Sequence, residues 1–128
     1  MEQKTHLGMN SGLVGEVLSI GDGEATVALV GASEMAADDR GLVHGGFTFG
    51  LADYAAMVAV NDPNVVLGAS DCRFLAPVRV GDRMVATAKV ESERGKKRVV
   101  AVSVSVGGGE VMSGTMTCFV LEKHVLSD

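Results

Sequence analysis

Between Arg40 and Asp62 the chain carries one formally charged side chain, Asp53, in the stretch Gly41-Leu42-Val43-His44-Gly45-Gly46-Phe47-Thr48-Phe49-Gly50-Leu51-Ala52-Asp53-Tyr54-Ala55-Ala56-Met57-Val58-Ala59-Val60. From Gly46 to Val60 the apolar spacing is helical. Phe47, Leu51, Tyr54 and Val58 fall on one stripe, and Ala52, Ala55, Ala56 and Ala59 form a second face of small residues. A helix that is apolar nearly all round must be covered on most sides, typically by a curved sheet on one side and a loop or second subunit on the other. Asn61-Asp62-Pro63-Asn64 ends it, because Pro63 has no N–H to donate and turns the chain out of the helix. The lone carboxylate then needs a reason. An ionised group is expensive to bury alone, so Asp53 is paired, exposed at one edge, or placed for chemistry.

The flanks alternate with a period of two. Residues 1 to 12 carry no pattern and read as an arm or initial turn. Leu13 to Ile20 reads as a strand, Gly21-Asp22-Gly23 as a hairpin turn and Glu24 to Val30 as its return, while Gly31 to Arg40 reads as a loop. After the helix, strands are expected over Val65 to Leu75, Met84 to Glu93, Arg98 to Val106 and Val111 to Leu121. Pro77 with Val80-Gly81-Asp82, Arg94-Gly95-Lys96-Lys97 and Gly107-Gly108-Gly109 punctuate them. Two strands, one long helix and four strands in meander make a helix-on-sheet α+β domain, expected to be a single one over 1–128. Such a sheet leaves free edges, so pairing with a second copy is expected.

Composition narrows the function. A net charge of −5 opposes phosphate neutralisation along a nucleic acid, and the absence of Trp leaves few stacking platforms. No run approaches the roughly 18 apolar residues of a membrane span, and no signal-type segment follows Met1-Glu2-Gln3-Lys4-Thr5-His6, which points to a cytoplasmic protein. Cys72 and Cys118 lie among alternating apolar residues without metal-type spacing, as reduced buried thiols do. Neither a metal nor a resident cofactor is expected.

Val43-His44-Gly45-Gly46 followed by Leu51-Ala52-Asp53 resembles the HGG motif and helix-borne acid of the hot-dog acyl-CoA thioesterases related to the phenylacetate-pathway enzyme. The strand, proline and Gly-Asp turn of Arg73-Phe74-Leu75-Ala76-Pro77-Val78-Arg79-Val80-Gly81-Asp82 resemble that family too. The resemblance spans about Leu13 to Leu121 and implies a curved six-stranded antiparallel sheet around the central helix. It further implies that Gly45 offers its backbone N–H to a thioester carbonyl. Asp53 is the implied catalytic carboxylate, contributed across a dimer interface to a shared site, and His44 shapes the start of the helix. Coenzyme A enters only as part of the substrate, and the expected assembly is a homodimer or a dimer of dimers. Where many members carry Asn or Gln several residues before the histidine, this chain reads Asp38-Asp39-Arg40, which gives Asp38 a supporting substrate role.

The chemistry is coherent on its own terms. Thioester hydrolysis develops negative charge on the carbonyl oxygen, and a helix N-terminus supplies free N–H donors and a positive dipole end. Gly45 and Gly46 let a substrate approach without a Cβ in the way. Asp53 then activates water as a general base or attacks directly to give an anhydride. The basic turn Arg94, Lys96, Lys97 and Arg98, with Arg73 and Arg79 as comparable candidates, either holds the phosphates of coenzyme A or is a solvated hairpin tip. Against the enzyme stands a second class, a non-catalytic acyl-CoA-binding module. The stretch Ser70 to Val90 resembles the effector domain of malonyl-CoA-sensing repressors, but about a dozen residues before the first strand are too few for a helix-turn-helix.

Overall fold

The computed structural model describes residues 1–128. A single helical turn, α1 (Ser11–Val14), leads into β1 (Glu16–Gly21) and β2 (Glu24–Val30); a 3-10 turn at Ser33–Met35 precedes α2 (Gly45–Val60). Then follow β3 (Val65–Phe74), β4 (Arg83–Arg94), β5 (Lys97–Val106) and β6 (Gly109–Val120). All strand pairs are antiparallel, in the order β1-β2-β4-β5-β6-β3.

Two expectations are corrected. Leu13 and Val14 belong to α1 instead of the first strand, because Gly15 intervenes with φ of 125°. A Cβ there would run into the Val27 and Leu51 side chains, so the chain turns at the one residue able to turn there. The last four strands are not a simple meander either. β4, β5 and β6 follow one another, but β3 pairs with β6 at the sheet's edge, from Val65↔Val120 to Phe74↔Met112. The physical reason is occupancy: β2 already fills the other side of β4, from Glu24↔Lys89 to Val30↔Arg83.

One face of the sheet is apolar and curves around α2. Val27 and Leu29 of β2, Met84 and Ala86 of β4, Val100 and Val104 of β5, and Met112 and Met116 of β6 are buried beneath the helix. On the helix Leu51, Ala52, Ala55, Ala56 and Val58 are fully buried, so the alanine face does its packing within one chain. Small side chains let backbones approach closely, which is why a strongly curved sheet can close on this helix. Phe47, expected on the same stripe as Leu51, is only half-buried near the helix start.

The N-terminal arm is structured, which its patternless sequence did not suggest. Gln3 Nε2 donates to the Tyr54 hydroxyl at 3.0 Å, and the His6 ring lies 6.3 Å from that of Tyr54. The Asn61 side chain accepts from Lys4 N–H and donates to Glu2 carbonyl, both at 2.8 Å. Asn61 itself stops α2, in the left-handed conformation with φ of 53°, two residues before Pro63. The arm thus straps the C-terminal half of α2, and burial holds the His6 imidazole below its usual pKa. The architecture is the hot-dog fold: one long central helix wrapped by a curved six-stranded antiparallel sheet.

Candidate functional site

The N-terminus of α2 is fixed from two sides. His44 N–H donates to Met35 carbonyl at 2.9 Å, and Val43 N–H donates to Val78 carbonyl at 2.9 Å, tying the approach to the 3-10 turn and to the loop after β3. His44 is the N-cap residue, extended at φ −61° and ψ 132°, and its side chain makes no capping hydrogen bond. Its exposed ring stands edge-on to Phe47 at 6.3 Å. The His44 side chain thus leaves the helix donors free.

Those donors belong to glycines. Neither Gly45 nor Gly46 N–H has an acceptor within the chain, as expected of the first positions of a helix whose cap side chain turns away. A Cβ on Gly46 would sit 3.0 Å from the His44 ring, and one on Gly45 would sit 3.4 Å from the Phe74 ring. Beside Gly45 opens a cavity of about 420 Å³, walled by Leu42, Thr48, Phe74, Leu75, Val78 and Val111. Unsatisfied N–H groups at the positive end of a helix dipole, against apolar walls, suit an oxygen on which negative charge grows.

Asp53 lies two turns further along. Its Oδ1 is buried with no hydrogen-bond partner, and burial raises its pKa above the usual carboxylate range. Beneath it sits Cys118 of β6. Burial, and secondarily the Asp53 carboxylate, push that thiol up to about 12, which leaves it a protonated, unreactive packing residue. Cys72, half-buried and also unbridged, is raised by burial and then by Asp71. No group of three or more His, Cys, Asp or Glu is arranged to hold a metal ion.

One chain does not bring Asp53 to Gly45. Eight residues separate them on the same helix, about 12 Å along its axis at 1.5 Å per residue. The other candidates scatter as well. Asp38 Oδ1 accepts from Arg40 N–H at 2.9 Å and Leu42 N–H at 3.3 Å, so this carboxylate holds the turn before the helix. Arg73, in register with Ser113, lies on the sheet face turned away from α2, because its neighbour Phe74 faces the helix. Arg94, Lys96 and Lys97 form the β4–β5 hairpin tip, where Lys96 carbonyl accepts from Val120 N–H. Within one chain that tip stands roughly 24 Å from the helix N-terminus, counting strand residues from Lys97 to Val104. The basic groups actually placed near the helix start are Arg40 and Arg79, which line a second cavity with Asp38, Leu42 and Pro77. Sequence reading missed Arg40, because the two loops meet only in the tertiary structure, through the Leu42↔Arg79 bridge and its neighbouring backbone hydrogen bonds.

The Thioesterase superfamily profile matches residues 40–113. Among solved structures, an uncharacterized protein from Pyrococcus horikoshii superposes with a TM-score of 0.98 at 53% identity, covering 99% of this chain and 98% of that one. A variant of the phenylacetic acid degradation protein PaaI from Thermus thermophilus superposes with a TM-score of 0.78 at 31% identity, covering 85% of this chain and 95% of that one. A methylthioribose-1-phosphate isomerase of Aquifex aeolicus is 46% identical over 123 residues, which are 95% of this chain and 27% of that protein. The transcription factor FapR of Caldanaerobacter subterraneus is 31% identical over 124 residues, 96% of this chain and 61% of that protein. The chain therefore spans about a quarter and about three fifths of the length of these two curated relatives.

Proposed function

Because the chain belongs to the thioesterase superfamily, we propose that it hydrolyses the thioester of a small, medium or aryl acyl-CoA. The observation that carries this reading is the free N–H of Gly45, which lines an apolar cavity at the helix N-terminus. The thioester carbonyl oxygen accepts from Gly45 N–H. Asp53 takes a proton from water, the water oxygen adds to the carbonyl carbon, and the tetrahedral intermediate collapses with loss of the coenzyme A thiol. Burial raises the Asp53 pKa, which makes its carboxylate a stronger base than an ordinary one. The likeness to a phenylacetic acid degradation protein supports including an aryl acyl group among the candidates.

A second copy completes the site in this reading, since Asp53 and Gly45 of one chain lie about 12 Å apart. β3 is an exposed edge from Gly68 to Arg73, excepting the half-buried Cys72. Pairing it with the β3 of a second copy would lay two helices side by side in a two-fold arrangement. Sizing at micromolar concentration is expected to give a dimer or a dimer of dimers, and an active monomer would remove the shared site.

A panel of short, medium, aromatic and dicarboxylic acyl-CoAs, read by thiol release, tests the activity. The likeness to a transcription factor across 96% of the chain favours one other reading, a module that binds its ligand without turnover. Tight binding with no thiol release on any panel member would establish that reading instead.

A further inference from the structure

We infer that Arg40 and Arg79 form the phosphate-binding mouth of the site, holding the phosphate groups of a coenzyme A ester whose thioester reaches the helix N-terminus. The inference rests on the acyl-CoA reading of that site and names the part of the chain that recognises the nucleotide end.

Three observations converge on these two side chains. The first is their placement. Arg40 and Arg79 line a cavity of about 330 Å³ that shares Leu42 and Pro77 with the apolar cavity at Gly45, so the two cavities are neighbours. Arg40 is five residues from Gly45, a reach of at most roughly 17 Å by chain length. The second is rigidity. The isolated bridge Leu42↔Arg79, Val80 N–H donating to Gly41 carbonyl at 2.8 Å and Gly31 N–H donating to Asp82 carbonyl at 2.9 Å clamp the two loops together.

The third is the state of the charges. The chain's one ion pair within 4 Å joins Arg98 to Glu93, so neither Arg40 nor Arg79 is neutralised by a carboxylate despite the net charge of −5. The acids beside them, Asp38 in the same cavity wall and Asp82, are held by backbone N–H groups and not by the guanidinium groups: Asp38 Oδ1 accepts from Arg40 and Leu42 N–H, and Asp82 Oδ2 accepts from Arg79 N–H at 2.9 Å. Two unpaired guanidinium groups on a braced scaffold match the oxygens of a diphosphate, which planar donors bind in pairs. Nothing comparable flanks the cavity elsewhere within the chain, since Lys96 and Lys97 lie at the opposite end of the sheet.

The test is equilibrium binding of coenzyme A, dephospho-coenzyme A and pantetheine to the wild-type chain and to Arg40→Ala, Arg79→Ala and the double variant. Both side chains are exposed and unpaired, so the variants are expected to keep the wild-type melting midpoint. Coenzyme A affinity is expected to fall about tenfold for each single variant and more for the double, to weaken with added salt, and to leave pantetheine binding unmoved. Loss retained with dephospho-coenzyme A assigns the diphosphate; loss confined to coenzyme A assigns the 3′-phosphate. Unchanged coenzyme A affinity in the double variant, or a loss produced by Lys96→Ala in its place, overturns the inference. Because binding needs no turnover, the two readings fail separately. Asp53-dependent hydrolysis with affinity indifferent to Arg40 and Arg79 sinks this one, and Arg-dependent binding without hydrolysis sinks the enzymatic one.

Discussion

Asp53→Asn is expected to lower kcat on acyl-CoA by two to four orders of magnitude, the range that removing a positioned general base produces. The substitution keeps the volume of the side chain and removes its charge. Fold loss is therefore not a competing explanation, and the sign of the stability change makes this checkable. Burial raises the Asp53 pKa, so the folded state holds this proton more tightly than the unfolded chain does. The group's favourable contribution is complete below its unfolded pKa and is lost as pH rises through the raised folded value. At neutral pH, well above the unfolded pKa, the buried, unpartnered carboxyl group works against folding, and Asp53→Asn is expected to melt at or above the wild-type temperature there. That advantage should vanish in acid. The pH profile of kcat/KM is expected to rise with deprotonation of Asp53, its acid limb displaced above the ordinary carboxylate range. Wild-type turnover in Asp53→Asn would remove the carboxylate from the mechanism.

Gly45→Pro is expected to cost about 10²- to 10³-fold in kcat, the usual effect of deleting one oxyanion donor. Proline removes the N–H and little else at this position. Gly45 is the first helical residue, where proline is favoured because that N–H has no helical partner. His44 already has the extended φ and ψ that a residue before proline adopts, and a Cβ at position 45 would meet the Phe74 ring at a tight 3.4 Å. A folded, oligomeric, inactive Gly45→Pro is the expected result; full activity would show that another donor polarises the carbonyl. Mixing it with Asp53→Asn sharpens the question. If the site is shared, random reassembly puts intact Gly45 and intact Asp53 together in half of all dimers, once each, and about a quarter of wild-type activity returns. A mixture as inactive as its parents would overturn the shared site.

Much of this was legible along the chain because its signals are local. The period of two in Glu24 to Val30 and in β5, and the helical spacing from Phe47 to Val58, predict element type directly; the strands match to within a residue or two except at Leu13 and Val14. The glycine pair, the histidine before it and the isolated carboxylate could be read in the same way. The arm over Tyr54 could not, since Gln3 finds the Tyr54 hydroxyl 51 residues away and no periodicity announces such a contact.

The sequence by itself determined that one apolar helix begins at two glycines, carries one acid and is wrapped by antiparallel strands, because propensity and burial pattern act between near neighbours. Only the tertiary structure decided the rest. It moved β3 to the free edge beside β6, left Asp53 Oδ1 unpartnered over Cys118, and put Arg79 beside Arg40 while sending Lys96 and Lys97 to the far end of the sheet. These placements depend on which strand edge is unoccupied and how far a rigid helix carries a side chain, and both are set by packing across the whole domain.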